Sequence, residues 1–358
     1  MTKDRSAQAV PARFLGRAAE LLSQAWGTPV AVVGEENLEH SGHAFVVRLL
    51  LSGGPAPSVV LKLAHADPTT AFDRHDVDPW GPAARLWNEW AGLEFLTSLA
   101  SPQPPVPAFH AGDADLGLLL MEDLGSGPSL ADVLLDRSPD RARVALDGYV
   151  DALADIHLAT LAHVDTFERR RRAFGGEPAA VPALLDGDGQ PLLLQGLGAL
   201  ADDADIDAAS DAIRWVDGVV RSPGRWRAFN VNDCCPDNNR VYADGRVRLF
   251  DLEFCTVQHA LLGLAYVRTT MPTCWCQRRL GIEMSEALVR RYQDRLRVGG
   301  FDVQPEEFDT ALNACEAYWA IETARWHVER ALGPGGDDPP VHRHDGLPAC
   351  FAATAVPA

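Results

Sequence analysis

Short runs in which apolar and polar residues alternate dominate the first third of the chain, a pattern that is typical of β-strands. They predict strands at Thr28–Val33, Ala44–Leu51, Ser58–Leu63 and Gly117–Met121. Turns rich in Gly, Ser and Pro separate several of these runs. Segments 12–26 and Arg85–Leu99 instead carry apolar residues at helical spacing and predict helices. We therefore expect a small antiparallel β-sheet that is accompanied by one main helix, Arg85–Leu99.

The rest of the chain is mostly helical in pattern. Apolar residues recur at helical spacing in Ser129–Leu135, Arg141–Leu161, Ser285–Val298 and Pro305–Leu332. Residues 172–205 are rich in Gly, Pro, Ala and Asp and predict a helical insertion with loose connections, and residues 341–358 predict a loop-like tail. Because strands and helices separate along the chain, we predict an α+β protein with two lobes, residues 1–121 and 122–340.

Composition limits the classes of function. Of the 358 residues, 47% are hydrophobic and 23% charged, as in an ordinary soluble globular protein. The 32 basic and 50 acidic residues give a net charge of −18, which argues against a nucleic-acid partner because phosphate binding needs a basic face. The acidity either favours a positively charged small substrate or serves solubility alone. The sequence has neither a signal-peptide pattern nor an apolar run of about 18 residues, so we expect a cytoplasmic protein with no membrane partner.

One segment, 229–254, carries a pattern that suits phosphoryl transfer. A polar loop contains Asp233 and Asn238, and the alternating run Arg246–Phe250 predicts a strand with Asp251 at its end. The reaction needs a carboxylate to receive a hydroxyl proton, an Asn for one metal ion and a second Asp for Mg²⁺. We interpret the segment as one strand–loop–strand unit. Asp and Asn are also common in turns, so a plain hairpin loop is the alternative.

Lys62 is the second candidate. The chain has only two lysines, Lys3 and Lys62, against 30 arginines, and Lys62 lies in the apolar strand VVLKLA. A compact ammonium binds phosphate oxygens as a point charge; the alternative is a solvent-facing lysine at a strand edge. A buried lysine needs an anion, and we expect Glu89, on the apolar side of its predicted helix, to provide it, with Glu94 as the second choice.

Residues 118–124 predict an extended connector between the lobes, whose backbone groups can hydrogen-bond an adenine edge. We expect the side chains of Glu122 and Asp123 to face solvent.

The seven cysteines have no spacing that indicates a paired framework or a zinc ribbon. We expect reduced and mostly buried thiols. Cys234 and Cys235 differ from the others because they lie inside the segment that suits phosphoryl transfer.

A possible substrate surface lies on the last helix. Trp319, Glu322, Trp326 and Glu329 fall on one face of Pro305–Leu332, and aromatic rings beside carboxylates suit an amine. The alternative is that the tryptophans belong to the core and the glutamates border it.

The sequence resembles the aminoglycoside phosphotransferase and choline-kinase-like family of small-molecule kinases, which are relatives of the protein kinases. The resemblance rests on the order of VVLKLA, NEWAGLEFL, PPVPAF, LLLMEDLG, LADIH and the segment 229–254, and covers about residues 28–270. It implies a bilobal protein-kinase-like α+β fold. It also implies ATP and Mg²⁺ as cofactors and transfer of the γ-phosphate to a hydroxyl of a small molecule.

The resemblance further implies roles for single residues. Lys62 would contact the α- and β-phosphates and pair with Glu89, and Ser41 would lie at the tip of the loop that covers the nucleotide. The connector residues Met121, Glu122 and Leu124 would form the hinge at the adenine. Asp233 would be the catalytic base, and Asn238 and Asp251 would bind Mg²⁺.

Three positions depart from the family's pattern. The family's catalytic loop has two histidines where this chain has Val231 and Cys235, and Gly263 stands where the family usually has an Asp. These departures motivate a competing hypothesis, a nucleotide-binding pseudokinase that acts as a regulatory or interaction module. Because Lys62 and Asp233 are both retained together with the two expected metal ligands, we favour an active phosphotransferase.

Overall fold

Five strands form an antiparallel sheet in the N-terminal part of the chain: β1 (Ala31–Asn37), β2 (Phe45–Ser52), β3 (Ser58–Leu63), β4 (Phe109–Asp113) and β5 (Leu118–Glu122). Their order in the sheet is β1-β2-β3-β5-β4. The computed structural model of the chain describes residues 9–38, 44–65, 67–99, 104–136, 138–176, 203–274 and 280–332. Four of the strands were predicted. β4 was not, because all five of its residues are half-buried and show no alternation.

The alternation of side chains along β3 sets the side of the sheet on which Lys62 lies. Successive side chains of a strand face opposite sides of the sheet. Leu61 is fully buried on the side that packs against helix α1 (Ala12–Trp26). Its neighbour Lys62 therefore faces the other side, where helix α2 (Pro82–Thr97) lies and Glu89 contacts it.

Helix α2 is buried along most of its length. It begins with Pro82 at its first turn, a position where the missing backbone N–H costs nothing. Gly92 lies so close to the C-terminal lobe that a Cβ atom there would be 2.9 Å from Cys255 Sγ. Because glycine has no Cβ atom, Gly92 allows the helix to pack directly against the segment that follows Asp251.

The C-terminal lobe is mostly helical. Its helices are α3 (Leu130–Leu135), α4 (Pro139–Thr160), α5 (Val164–Ala173), α6 (Asp203–Arg221), α7 (Leu261–Arg268), α8 (Ile282–Val298) and α9 (Pro305–Leu332). They share one large apolar core with the inner side of α2 and with Leu119 and Met121 of β5. Most of the predicted insertion 172–205 and the whole tail 341–358 lie outside the described residues.

Two small sheets carry the segment 229–254. The first pairs β6 (Arg227–Asn230) with β9 (Thr256–His259), and the second pairs β7 (Asn239–Val241) with β8 (Val247–Leu249). The interpretation as a single strand–loop–strand unit was therefore wrong, because the β7–β8 hairpin is inserted between the two strands of the other pair. The arrangement places Asp233 after β6, Asn238 before β7 and Asp251 after β8.

The α+β fold with a small antiparallel sheet and a larger helical lobe is thus confirmed. Among the described residues, no helix is both long and apolar enough to cross a membrane.

Candidate active site

Lys62 lies at the centre of a buried charge cluster. Its Nζ atom is 2.7 Å from Glu89 Oε2, 2.6 Å from Asp251 Oδ1 and 3.3 Å from Glu253 Oε2. The side chain of Lys62 is 9% exposed and that of Glu89 only 2%. Glu89 also accepts a hydrogen bond from the backbone N–H of Leu252, at 3.4 Å. The cluster therefore ties β3, α2 and the segment after β8 to one another.

The electrostatics of this cluster favour a charged lysine. Burial alone would lower the pKa of Lys62, but the charges of Asp251, Glu89 and Glu253 raise it well above its ordinary value. Burial raises the pKa of Glu89, and the positive charge of Lys62 opposes that effect. Three carboxylates contact one ammonium, and Arg85 adds a second cation only 4.0 Å from Glu253 Oε1. Excess negative charge of this kind attracts a further cation.

Two buried polar residues hold the segment Asp251–Glu253 against α2, and sequence reasoning missed both. Asn88 Nδ2 donates to the carbonyl oxygen of Glu253 at 2.9 Å, and Arg171 Nε of α5 donates to Asn88 Oδ1 at 2.6 Å. Asp251 itself has a left-handed backbone, with φ of 63°, a conformation that is uncommon for a residue other than glycine and that recurs at functional sites.

Asp233 and Asn238 lie in one loop, residues 231–238, which we name the catalytic loop after the family motif that its sequence resembles. The side chain of Asn238 lies close enough to the Asp233 carboxylate to favour its charged form and so to lower its pKa. Burial, and then the nearby charge of Asp251, raises the pKa of Asp233 to about 7. The carboxylate is therefore poised to exchange a proton near neutral pH.

Other residues brace the loop where the family's histidine is missing. Val231 is a 2% exposed core residue. Tyr149 of α4 instead donates its hydroxyl to the carbonyl oxygen of Cys234 at 2.7 Å, and Asn239 Nδ2 donates to the carbonyl oxygen of Pro236 at 2.8 Å. Gly263 stands where the resembled family usually has an Asp. A Cβ atom on Gly263 would lie 3.5 Å from Leu153 and 3.6 Å from the Cys234 sulfur, so its surroundings are apolar.

The connector between the lobes is fixed by its own side chains. Met121 is 5% exposed at the end of β5. Glu122 pairs with Arg248 at 2.6 Å. Asp123 pairs with Arg48 Nε at 2.5 Å. The expectation that Glu122 and Asp123 face solvent was wrong, because each has an arginine partner on a neighbouring strand or hairpin.

The backbone of the connector is anchored as well. Leu124 accepts a hydrogen bond from the Tyr242 hydroxyl through its carbonyl oxygen, at 3.2 Å. The turn after β7 thereby holds the connector in place.

One pair of cysteines contradicts the expectation of reduced thiols. Cys235 of the catalytic loop forms a disulfide with Cys274, whereas Cys234, Cys255 and Cys315 are free and buried. The two bonded residues are 39 positions apart in the sequence. Their proximity depends on the packing of α7 beneath the loop, which no local pattern reveals.

The structure gives a packing role to Trp319. Its indole N–H donates to the carbonyl oxygen of Leu262 at 2.9 Å, and its ring lies edge-on to Tyr266 with centroids 4.8 Å apart. Glu322 is half-buried on the same helix. The side chains of Trp326 and Glu329 and the whole of Ser41 lie outside the described residues.

The donor set near the loop suits a hard divalent cation. Mg²⁺ prefers oxygen ligands, usually one or two carboxylates together with phosphate and water oxygens. Asp251 and Asn238 offer a carboxylate and an amide oxygen. The three carboxylates that contact Lys62 also leave excess negative charge, which a further cation would balance. The residues present therefore fit this metal.

Neither a family model nor a curated protein matches the sequence. Solved structures do match the fold, each with a TM-score of 0.50. The gentamicin complex of APH(2″)-IIa is 10% identical, with 90% of this chain and 93% of that chain covered. The streptomycin–ATP complex of APH(2″)-IIa is 11% identical, with 90% and 95% covered. A GDP complex of a mutant aminoglycoside 2′-phosphotransferase IIIa is 11% identical, with 88% and 92% covered. The chain therefore has the bilobal fold of the aminoglycoside phosphotransferases, as its sequence resemblance predicted.

Proposed function

We propose that the cleft between the lobes binds ATP with Mg²⁺ and transfers the γ-phosphate to a hydroxyl of a small, amine-bearing molecule. The observation that carries this proposal is the contact of Lys62 with Glu89, Asp251 and Glu253 at 2.6 to 3.3 Å. Three carboxylates around one buried lysine leave excess negative charge, which a divalent metal ion bound together with the nucleotide phosphates would balance.

Each part of the cleft has a role in this reaction. Lys62, held by Glu89, binds the α- and β-phosphate oxygens. The backbone of the connector, from Met121 through Glu122 to Leu124, receives the adenine edge. The role of Ser41 at the nucleotide stays a prediction from the sequence, because Ser41 lies outside the described residues.

Asp233 receives the proton of the attacking hydroxyl, and its pKa of about 7 suits a base that acts near neutral pH. Asn238 and Asp251 would hold Mg²⁺, which would neutralise charge on the phosphate oxygens. Most of the rate would come from positioning and charge neutralisation rather than from covalent chemistry by the protein.

The net charge of −18 supports an acceptor that carries amines. The structures with the same fold include complexes of one other protein, APH(2″)-IIa, with gentamicin and with streptomycin. We place the acceptor against the helical lobe, where Trp319, Glu322 and Trp326 are the candidate contacts. The acidity also argues against a nucleic-acid partner, and we propose a cytoplasmic enzyme because the sequence has no signal-peptide pattern.

A phosphate-transfer screen tests the proposal. The protein is incubated with Mg²⁺ and γ-labelled ATP against aminoglycosides, peptide antibiotics, amino alcohols and sugars. We expect label on at least one amine-bearing acceptor, with loss of labelling when Mg²⁺ is chelated. Asp251→Asn is the matched control, and it should lose both transfer and the Mg²⁺-dependent part of ATP binding.

The competing pseudokinase predicts a different outcome of the same experiment. Val231 and Gly263 depart from the family's pattern, so a protein that binds ATP without turning it over is the specific alternative. A thermal shift with ATP, combined with no transfer to any acceptor and no ATP hydrolysis, would favour that alternative. Absence of any shift with ATP, with or without Mg²⁺, would contradict both.

A further inference from the structure

The Cys235–Cys274 disulfide joins the catalytic loop to the turn that follows α7. The two Cα atoms are 5.9 Å apart, and the bond closes a segment that contains Asn238 and Asp251. The other cysteines of the described residues remain unpaired thiols. The bond is thus a selective link at one position rather than part of a disulfide framework of the kind found in small secreted proteins.

The backbone of Cys235 holds both ends of the catalytic loop. Its N–H donates to Asp233 Oδ1 at 3.2 Å, and its carbonyl oxygen accepts from the N–H of Asn238 at 3.0 Å. Movement of Cys235 therefore displaces the proposed base and one proposed metal ligand together. A covalent link from this residue to Cys274 limits that movement.

The other side of the link is also anchored. The backbone N–H of Cys274 donates to the carbonyl oxygen of Met271 at 3.0 Å, and Thr273 forms a 3.0 Å hydrogen bond with the hydroxyl of Tyr266 in α7. Cys274 is 7% exposed, whereas Cys235 is half-buried. A small thiol therefore reaches the sulfur of Cys235 first.

We propose that Cys235 and Cys274 form a reversible disulfide that positions the catalytic loop, so that thiol–disulfide exchange with small-molecule thiols controls phosphoryl transfer. In the oxidised form the link holds Asp233 and Asn238 at the metal and nucleotide. In the reduced form the loop keeps its hydrogen bonds but loses the covalent anchor. This inference rests on the proposed function.

The exchange balances with the small thiol as the reductant. One thiolate attacks the Cys235 sulfur, forms a mixed disulfide and releases Cys274 as a thiol. A second thiol then attacks the mixed disulfide, which leaves Cys235 as a thiol and one molecule of the small disulfide. Two electrons and two protons pass from the small thiols to the protein, and an excess of the small disulfide reverses both steps.

The test follows thiol state and metal dependence together in the full-length protein. Samples are equilibrated at defined ratios of reduced to oxidised glutathione, free thiols are trapped with an alkylating reagent, and the mass of the intact chain counts them. On the same samples, the thermal shift with ATP and the rate of transfer are measured against Mg²⁺ concentration.

We expect two thiols to appear together as the glutathione becomes more reducing. The Mg²⁺ concentration that gives the half-maximal effect should rise about 10-fold to 100-fold in parallel. This rise corresponds to the loss of metal affinity, about 10-fold to 100-fold, expected when a residue that orients a metal ligand is released. Cys274→Ser should lack the link at every glutathione ratio and keep the high Mg²⁺ requirement throughout, with Cys235 either a free thiol or a mixed disulfide with glutathione. Cys315→Ala, a thiol outside the loop, should keep the response of the wild-type protein.

Several outcomes would overturn the inference. The first is a Mg²⁺ dependence that stays unchanged while the number of free thiols changes in full. The second is a Cys235–Cys274 bond that cannot be reduced without unfolding the protein. The third is loss of the disulfide in Cys276→Ser but not in Cys274→Ser. Stoichiometric zinc on the reduced protein would also overturn it, since Cys235, Cys274 and Asp237 place their ligand atoms within 4.8 Å of one another. If the oxidised protein showed neither an ATP-dependent shift nor transfer, the proposed function itself would fail.

Discussion

At the scale of single residues, Lys62 is the central residue of the candidate active site. The rarity of lysine and the apolar strand around it indicated Lys62, and the apolar side of the predicted helix 85–99 favoured Glu89 over Glu94 as its partner. The contact with Glu253, which lies 191 positions away, could not be predicted, because it depends on how the lobes pack. Asn88 and Arg171 were missed for the same reason, since neither belongs to a recognisable motif.

Removal of the lysine charge tests this cluster directly. Lys62→Met should lower the free energy of unfolding by about 3–5 kcal/mol, because it leaves a buried Glu89 carboxylate without its cation. The double variant Lys62→Met with Glu89→Gln should recover part of that loss. Urea unfolding followed by circular dichroism measures both.

A surface pair provides the control for that cycle. Arg141 and Asp136 form an ion pair with both side chains more than half exposed, so Arg141→Met should change stability by about 1 kcal/mol or less. Strictly additive effects of the Lys62 and Glu89 substitutions would contradict a direct coupling.

At the scale of elements, α4 braces the catalytic loop through one side chain, Tyr149. The tyrosine hydroxyl at position 149 meets the carbonyl oxygen of Cys234 from below the loop. The helical pattern predicted α4 as Arg141–Leu161 against the observed Pro139–Thr160, but it did not indicate which polar side chain reaches the loop. Pairing of β6 with β9 across the inserted hairpin was missed as well, because strand partners are set by tertiary packing rather than by local alternation.

Deletion of that hydroxyl should loosen the loop. Tyr149→Phe leaves the Cys234 carbonyl unpaired in a buried site, which costs about 1–3 kcal/mol of stability. We also expect slower transfer with little change in ATP affinity. Denaturant unfolding and steady-state kinetics measure the two effects.

Tyr242→Phe is the matched deletion at the connector. Tyr242 is only half-buried and its hydroxyl binds Leu124, so water can replace the lost hydrogen bond. We expect it to affect ATP binding more than the rate of transfer. A larger stability loss in Tyr242→Phe than in Tyr149→Phe would contradict the account of the loop.

At the scale of the whole molecule, two neutral histidines stabilise the C-terminal core. His157 Nδ1 lies 2.6 Å from the Tyr292 hydroxyl and its Nε2 lies 3.2 Å from Asn230 Oδ1. Burial lowers the pKa of His157 to about 4, and it does the same for His259. The packing role of His157 joins α4, α8 and β6 in one core.

These histidines predict a pH dependence of stability. An unfolded histidine binds a proton near pH 6.5, whereas the folded ones resist protonation until about pH 4. The unfolded state therefore holds more protons in this window, and the free energy of unfolding should fall as the pH is lowered from 6.5 to 4, by up to about 3 kcal/mol per histidine.

Urea unfolding at several pH values checks this slope. His157→Gln should flatten it, because the variant has one fewer group to protonate. His75→Gln, at an exposed position, should leave it as in the wild-type protein. Equal slopes in all three proteins would show that other groups control acid unfolding.

The fold of the whole chain was predictable because its elements follow simple periodicities and a known order of motifs. No helix was predicted over α5, α6 or α7, and α5 shows the limit of such periodicities. Its sequence VDTFERRRRA has a strongly polar face, yet Phe167 is fully buried and Arg171 reaches Asn88. Only the packed structure distinguishes such a segment from a solvated loop.

The most direct test of the central claim is a comparison of ATP binding and phosphate transfer in Asp233→Asn. Calorimetry should find ATP–Mg²⁺ binding close to that of the wild-type protein, since Lys62, Asn238 and Asp251 remain. Transfer to the acceptor found in the screen should fall by about 100-fold to 10,000-fold, the usual contribution of a general base. Transfer at the wild-type rate by a variant that binds ATP normally would contradict the assignment of Asp233 and with it the proposed mechanism.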